Sequence, residues 1–200
     1  MLFRSVRALA KAGASAIGLE PSAEALARAR QAPKARDERY VEGSGETLPF
    51  PDGSLDAVVY LNAFHHLPVA GLTPALREGA RVLVPHGHLL IVEPIAEGAH
   101  FKLVRAIDDE TQVRAEALRA IRSVPHSLMR LAHETYYDAP IVYADFAAFK
   151  ARMTAVDPRR AAALARVEKR IAGDFVAKGR PVAAGVEFSQ PTRLDLFVRA

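Results

Sequence analysis

One acid closes the apolar run Ala14–Leu19: Glu20, followed at once by Pro21. A carboxylate offers paired acceptor lone pairs to vicinal hydroxyls such as those of a ribose. At the carboxyl end of a parallel strand it projects into the crevice where open α/β sheets bind their ligands. The competing reading of Glu20 is a carboxylate placed at a helix start, where the helix dipole favours negative charge. A second group is His65-His66, one of which can act as a general base near neutral pH; His66 is taken as that residue. Adjacent residues face opposite ways in a strand and diverge by about 100° in a helix, so the pair is not expected to share a metal, and no metal site is expected. His86 and His88 flank Gly87 in what reads as a turn. Glu93, Glu97 and the run Asp108-Asp109-Glu110 could bind an amine or a divalent cation. Asp109 and Glu110 equally suit a helix start, Asp109 as its cap and Glu110 in the first turn, and that reading is preferred.

The elements that must hold these residues alternate as βα units do. Residues 1–12 form an amphipathic helix with Val6, Leu9 and Ala10 on one face and Gly13 at its C-terminal cap. A strand over 14–19 leads to an Ala-rich helix over 22–31, which Pro33 ends. A short strand near 39–42, a Gly- and Pro-rich connection over 43–53, a buried strand over 55–61, a helix over 73–84 and a buried strand over 88–92 complete the order β-α-β-β-α-β. Beyond Pro94, helices are predicted over 109–122, 127–135, 146–154 and 158–178, with strands over 141–143 and 193–198. The alternation of Leu194, Leu196 and Val198 with Asp195 and Phe197 suits antiparallel pairing at or near a sheet edge. Tyr136, Tyr137, Tyr143, Phe146 and Phe149 could line a pocket, although aromatics in such numbers more often pack a core.

Composition narrows the function classes. The 200 residues contain no cysteine, which removes disulfides, thiol nucleophiles and cysteine-ligated metal centres. The longest apolar runs, such as Leu89–Val92, fall far short of the roughly 20 residues a membrane helix needs, and the protein is expected to be cytoplasmic. The net charge of +4 is spread over helix faces among acids, so no nucleic-acid partner is expected. Oligomeric state cannot be read.

Three stretches taken in order, Ile17–Pro21, Gly45–Leu67 and Arg81–Glu93, resemble the class I S-adenosylmethionine-dependent methyltransferases. The resemblance lies in Leu48-Pro49-Phe50-Pro51-Asp52-Gly53-Ser54-Leu55-Asp56-Ala57-Val58, then His65-His66-Leu67, then Leu83-Val84-Pro85-His86-Gly87-His88-Leu89-Leu90-Ile91, and covers roughly residues 6–94. It implies an α/β, Rossmann-like doubly wound and mostly parallel sheet, with an antiparallel strand near one edge and a helical lid inserted after the fifth family strand. It implies a single domain over 1–200, with a cofactor-binding half over 1–94, a helical lid and substrate region over 95–185 and a C-terminal strand over 186–200. S-adenosyl-L-methionine is the implied cofactor. Glu20 would take its ribose, Ser44-Gly45-Glu46 stand where the family reads adenine, and Asn62 would meet the methionyl part or the substrate entrance. Ser44 replaces the family's usual acid; its hydroxyl can still accept.

The family also writes a first strand and a D-x-G-x-G-x-G loop ahead of the first helix, and no such loop occurs in these residues. The chain is therefore read as N-terminally incomplete and is expected to bind the cofactor weakly. The implied reaction is methyl transfer to a small organic acceptor. The alternative is a catalytically inactive methyltransferase-like binding or scaffold protein. A nicotinamide oxidoreductase is disfavoured because G-x-G-x-x-G is absent.

Overall fold

The computed structural model describes residues 2–156 and 159–200. Its elements run α1 (Leu2–Lys11), β1 (Ile17–Glu20), α2 (Ala23–Gln31), β2 (Arg39–Glu42), β3 (Leu55–Leu61), a 3₁₀ turn (Phe64–His66), α3 (Val69–Val82) and β4 (Leu83–Pro94). They continue with α4 (Gly98–Val104), α5 (Thr111–Arg122), β5 (Met129–Asp138), β6 (Ile141–Tyr143), α6 (Phe146–Val156), α7 (Arg160–Lys178), β7 (Arg180–Val182), β8 (Gly185–Phe188) and β9 (Pro191–Arg199).

Local chemistry sets several of these boundaries. Gly13 adopts φ +99° after α1, where Ala14 N–H reaches Leu9 O at 3.0 Å and satisfies a terminal carbonyl. Ser22 caps α2 by accepting from Ala25 N–H at 3.2 Å. α3 starts a full turn before the predicted residue 73, after Pro68, and carries Pro74 inside it. A proline there forfeits one intrahelical hydrogen bond. The helix tolerates that loss because its other face is buried through Leu72, Ala75, Leu76 and Ala80.

The strands form an α/β, Rossmann-like arrangement. β1 and β2 pair in parallel, Glu20 lying opposite Glu42. A four-stranded sheet has the order β3-β4-β9-β5, with β3 and β4 parallel and both β9 contacts antiparallel. Among the described residues, hydrogen bonding does not join these two sheets, so parallel pairing is confined to β1-β2 and β3-β4. β9 lies one strand in from the edge, and β5 takes the edge itself.

The region beyond residue 94 is not purely helical. The helix predicted over 127–135 is overturned by the edge strand β5 (Met129–Asp138), and β6, β8 and β7 make a small antiparallel sheet in that order. The helix formers Met129, Leu131, Ala132 and Glu134 mislead there. An open edge strand needs little apolar patterning, and most of β5 faces solvent.

One core joins α3 and α5 to the four-stranded sheet through Phe64, Leu76, Leu89, Ile91, Ile121 and Phe197. A second unites α4, α6 and α7 with the small sheet through Leu103, Phe149, Ile171, Phe175 and Phe188, and includes Tyr143. Tyr136 and Tyr137 instead stay exposed on β5.

Candidate active site

The carboxyl ends of the parallel strands gather the polar residues. Glu20 closes β1 and is only 6% exposed. Its Oε1 accepts from Ser22 N–H at 3.0 Å, while Oε2 is buried and has no hydrogen-bond partner. A buried carboxylate oxygen without a donor is costly, and a pair of ligand hydroxyls is the kind of donor that would relieve it. Gly43 N–H bonds Glu20 O at 3.4 Å, tying the start of the 43–53 connection to β1.

In that connection, Ser44 and Thr47 form an isolated antiparallel bridge. Gly45 O accepts from Tyr60 Oη at 3.3 Å, linking this loop to β3. A Cβ at Gly45 would stand 3.1 Å from the Tyr60 oxygen, so the glycine permits the close approach. Burial, and after it the charges of Glu46 and Glu78, push the Tyr60 phenol above its ordinary range. Glu46 lies against Gly71 of α3, where a Cβ would come within 2.6 Å of its Cγ. Arg81 fastens the same loop by donating to Phe50 O at 2.9 Å and Leu48 O at 3.0 Å while pairing with Glu78 and Asp52. Glu78 in turn accepts from Leu48 N–H at 2.8 Å.

A second group forms at the ends of β3 and β4. Asn62 leaves β3 with φ +50°, a left-handed conformation that asparagine tolerates better than most residues, and its N–H bonds Val92 O at 2.8 Å. That reversal turns the next two N–H groups, of Ala63 and Phe64, onto Glu93 Oε1 at 3.1 and 2.9 Å. The other oxygen of Glu93 receives His65 Nδ1. Both partners are nearly enclosed, His65 at 3% and Glu93 at 6% exposure. Glu93 thus takes the Nδ1 side of the His65 ring, and Nε2 points the other way, toward Glu110.

His65 Nε2 lies 3.8 Å from Glu110 Oε2. Glu110 is held by Arg114 Nε at 3.1 Å and Nη2 at 2.5 Å, and Arg114 Nη1 reaches Ile95 O at 2.9 Å. Arg160 pairs with Asp108 and stands 3.7 Å from Glu110 Oε1. Burial works to raise the Glu110 carboxyl, but Arg114, with His65 and His66, outweighs it and holds the group below the usual carboxylate range. His66 stacks against His65 with ring centroids 4.0 Å apart and keeps an exposed edge. Partial desolvation, and next the His65 ring, hold His66 below the ordinary imidazole range despite the pull of Glu110 and Glu93.

The residues singled out in the sequence thus fall into two groups. Glu20, Ser44, Gly45 and Glu46 belong to the β1–β2 end, with Glu46 turned onto α3; Asn62 and His66 belong to the β3–β4 end; Tyr60 connects the two through Gly45. The premise that neighbouring histidines must diverge fails here. Within one 3₁₀ turn the two rings meet, and ligand atoms of His65, His66 and Glu110 all lie within 4.8 Å of one another. The helix expected from Asp109 begins instead at Thr111 with Glu110 at its N-cap position, so Asp109 stands one residue ahead of the cap; its Oδ1 still accepts from Thr111 N–H at 3.0 Å, which with Thr111 Oγ1 and Arg105 holds its carboxyl down at about 2.

Sequence reasoning missed the Glu93–His65 pair and the Arg114–Glu110 pair behind it. The available signal was Glu93 itself, an acid ending the apolar run Leu89–Val92 much as Glu20 ends Ile17–Leu19. The described cavities lie elsewhere. One of about 460 Å³ is lined by Gly13, Ala14, Ser15, Arg36 and Asp37 at the amino ends of β1 and β2, and one of about 280 Å³ sits between α5 and the β5–β9 edge.

Comparison with known proteins gives this geometry a family. Residues 4–91 match the family model described as a methyltransferase domain. A demethylmenaquinone methyltransferase of Thermus thermophilus is 38% identical over 91 residues, covering 44% of this chain and 40% of its own length. An uncharacterized methyltransferase of Synechocystis is 38% identical over 86 residues, covering 42% of this chain and 39% of its own. The chain thus spans about two fifths of the length of these curated relatives. The YcgJ protein of Bacillus subtilis, a solved structure, superposes with a TM-score of 0.56 at 22% identity, over 92% of this chain and 81% of its own. Residues 4–91 are thus similar to the methyltransferase-domain family, and the chain shares the fold of the YcgJ protein.

Proposed function

We propose that the chain uses S-adenosyl-L-methionine to methylate a small organic acceptor. The observation that carries this reading is the buried, partnerless Oε2 of Glu20 at the carboxyl end of a parallel strand. Its second oxygen is already fixed by Ser22 N–H, so the free one is oriented toward a donor that the protein does not supply. The two hydroxyls of a ribose fit that need. The Ser44–Glu46 turn, anchored through Gly45 to Tyr60, lies on the loop that follows β2 and suits an adenine edge.

When bound, the cofactor supplies an electrophilic sulfonium methyl group. The remaining work is positioning, since in-line transfer needs the acceptor held about 3 to 3.5 Å from the methyl carbon. Asn62 is placed by its left-handed turn at the mouth between β3 and β4, where backbone and side chain can meet the methionyl part or the acceptor. His66 presents a neutral imidazole on an exposed edge of the same turn and can take a proton from the acceptor. Behind it, Glu93 locks the turn through three contacts, so His66 is set by backbone geometry more than by its own packing. The small antiparallel sheet and α4, α6 and α7 follow β4 and supply the acceptor side. Among the described residues, no helix is long and apolar enough to cross a membrane.

The test is an assay for S-adenosylhomocysteine release with a panel of hydroxyl, amine and carbon acceptors. Turnover with at least one acceptor, reduced about tenfold or more in Glu20→Ala at subsaturating cofactor, is the expected result. Failure to produce S-adenosylhomocysteine with every acceptor, together with no cofactor binding, overturns the reading.

A further inference from the structure

We propose that His65, His66 and Glu110 form a binding site for a first-row divalent metal ion, with zinc the best fit. Such a site is independent of methyl transfer, and it rests on three ligand atoms lying within 4.8 Å of one another. Glu93 receives the Nδ1 side of His65 and already accepts two backbone N–H groups, which would leave the lone pair of Nε2 to ligate a metal. That lone pair faces a carboxylate oxygen 3.8 Å away, with the His66 ring alongside. The ligand atoms of His65, His66 and Glu110 thus converge within 4.8 Å of one another.

The donor set suits a metal. Two imidazole nitrogens and one carboxylate are a familiar three-ligand set for zinc, with a further position left open. Tetrahedral bonds of 2.0 to 2.2 Å put ligand atoms roughly 3.3 to 3.6 Å apart, so atoms lying within 4.8 Å would close by about 1 Å on binding. The outer sphere is present too. A ligating histidine almost always donates its other ring N–H to a carboxylate or carbonyl, and Glu93 does this for His65. Arg114 donates to Glu110 Oε2, the oxygen that faces His65 Nε2, and fixes its place as hydrogen-bonded partners do for ligating carboxylates. Nearby charge favours a cation, since Glu93, Glu110 and Asp108 outnumber Arg114 and Arg160. An entry path exists because His66 keeps an exposed edge while His65 lies at the floor. With a metal bound, His66 would be a ligand and not a proton acceptor.

Calorimetric titration of the chelator-stripped chain with Zn²⁺, and visible absorption with Co²⁺, test the site. The expected result is one equivalent bound at micromolar affinity or tighter, with the intense visible bands of four-coordinate cobalt. His66→Ala and Glu110→Gln are expected to weaken binding about a hundredfold, and Glu93→Gln roughly tenfold to a hundredfold. His126→Ala, at an exposed histidine beyond α5, should bind as the unaltered chain does. Because His66 is exposed, its variant should fold, as circular dichroism will verify. Absence of saturable binding, or affinity in His66→Ala equal to that of the unaltered chain, overturns the proposal.

Discussion

Buried His100 shows how far enclosure moves a single residue in this chain. Its Nε2 lies 2.8 Å from Tyr143 Oη and its Nδ1 3.1 Å from Gln190 Oε1, a set satisfied when the ring is neutral, donating to Gln190 and accepting from Tyr143. Burial is the main cause that lowers its pKa from 6.5 to about 4. A depressed folded pKa means that the unfolded chain binds more protons between those two values. Stability is therefore present above about 6.5 and is lost as pH falls toward 4, by up to about 3 kcal/mol. Denaturant melts of the unaltered chain and His100→Gln should show the advantage of the unaltered chain narrowing over that window, and a constant gap would contradict this. Gly98 gives a second residue-scale prediction. It has φ +83°, and a Cβ there would stand 2.3 Å from Pro191 Cδ, so Gly98→Ala should cost about 2 to 4 kcal/mol in a denaturant melt. Glu20 was legible in the sequence because a strand and the acid that ends it are local. The His65–Glu93 contact was not, since its partners are 28 residues apart and meet only when β3 lies beside β4.

At the level of elements, the 43–53 connection has little secondary structure and depends on Arg81 of α3. That one guanidinium holds Leu48 O, Phe50 O, Glu78 and Asp52. Its pKa is raised, first by the bond to Glu78 and then by that to Asp52. Arg81→Ala should leave the core intact yet speed amide exchange over residues 46–54 by roughly tenfold, measured by hydrogen exchange with mass spectrometry; unchanged exchange would show that the loop is held otherwise. The motif was readable here, but its fastening was not, because Arg81 looks like any surface arginine until α3 is laid beside the loop. Elements with strong signals, such as α1 with its Gly13 cap and α2 with Ser22, match the sequence reading within a few residues. Strand β5 escaped it, being an exposed edge whose Met, Leu, Ala and Glu favour helix and whose order comes from pairing with β9.

Across the whole molecule, a Rossmann-like order of strands sets Glu20, the Gly45 loop, Asn62 and Glu93 at carboxyl ends, the side on which such sheets bind ligands. The two parallel pairs remain separate hydrogen-bonded units, joined by the Tyr60–Gly45 contact and by the α3 anchors of the intervening loop. The α/β class and the βα alternation were legible from apolar runs punctuated by Gly and Pro. The division of the sheet and the second core around Tyr143 and Phe175 depend on contacts distant in sequence and were not. The buried, unpartnered Oε2 of Glu20 is the atom we propose receives the ribose hydroxyls of S-adenosylmethionine. Calorimetric titration of the chain and of Glu20→Gln with S-adenosylmethionine tests it most directly. One saturable site, weakened about tenfold or more by the substitution, is the predicted result. No binding by the unaltered chain, or equal affinity in the variant, would contradict it.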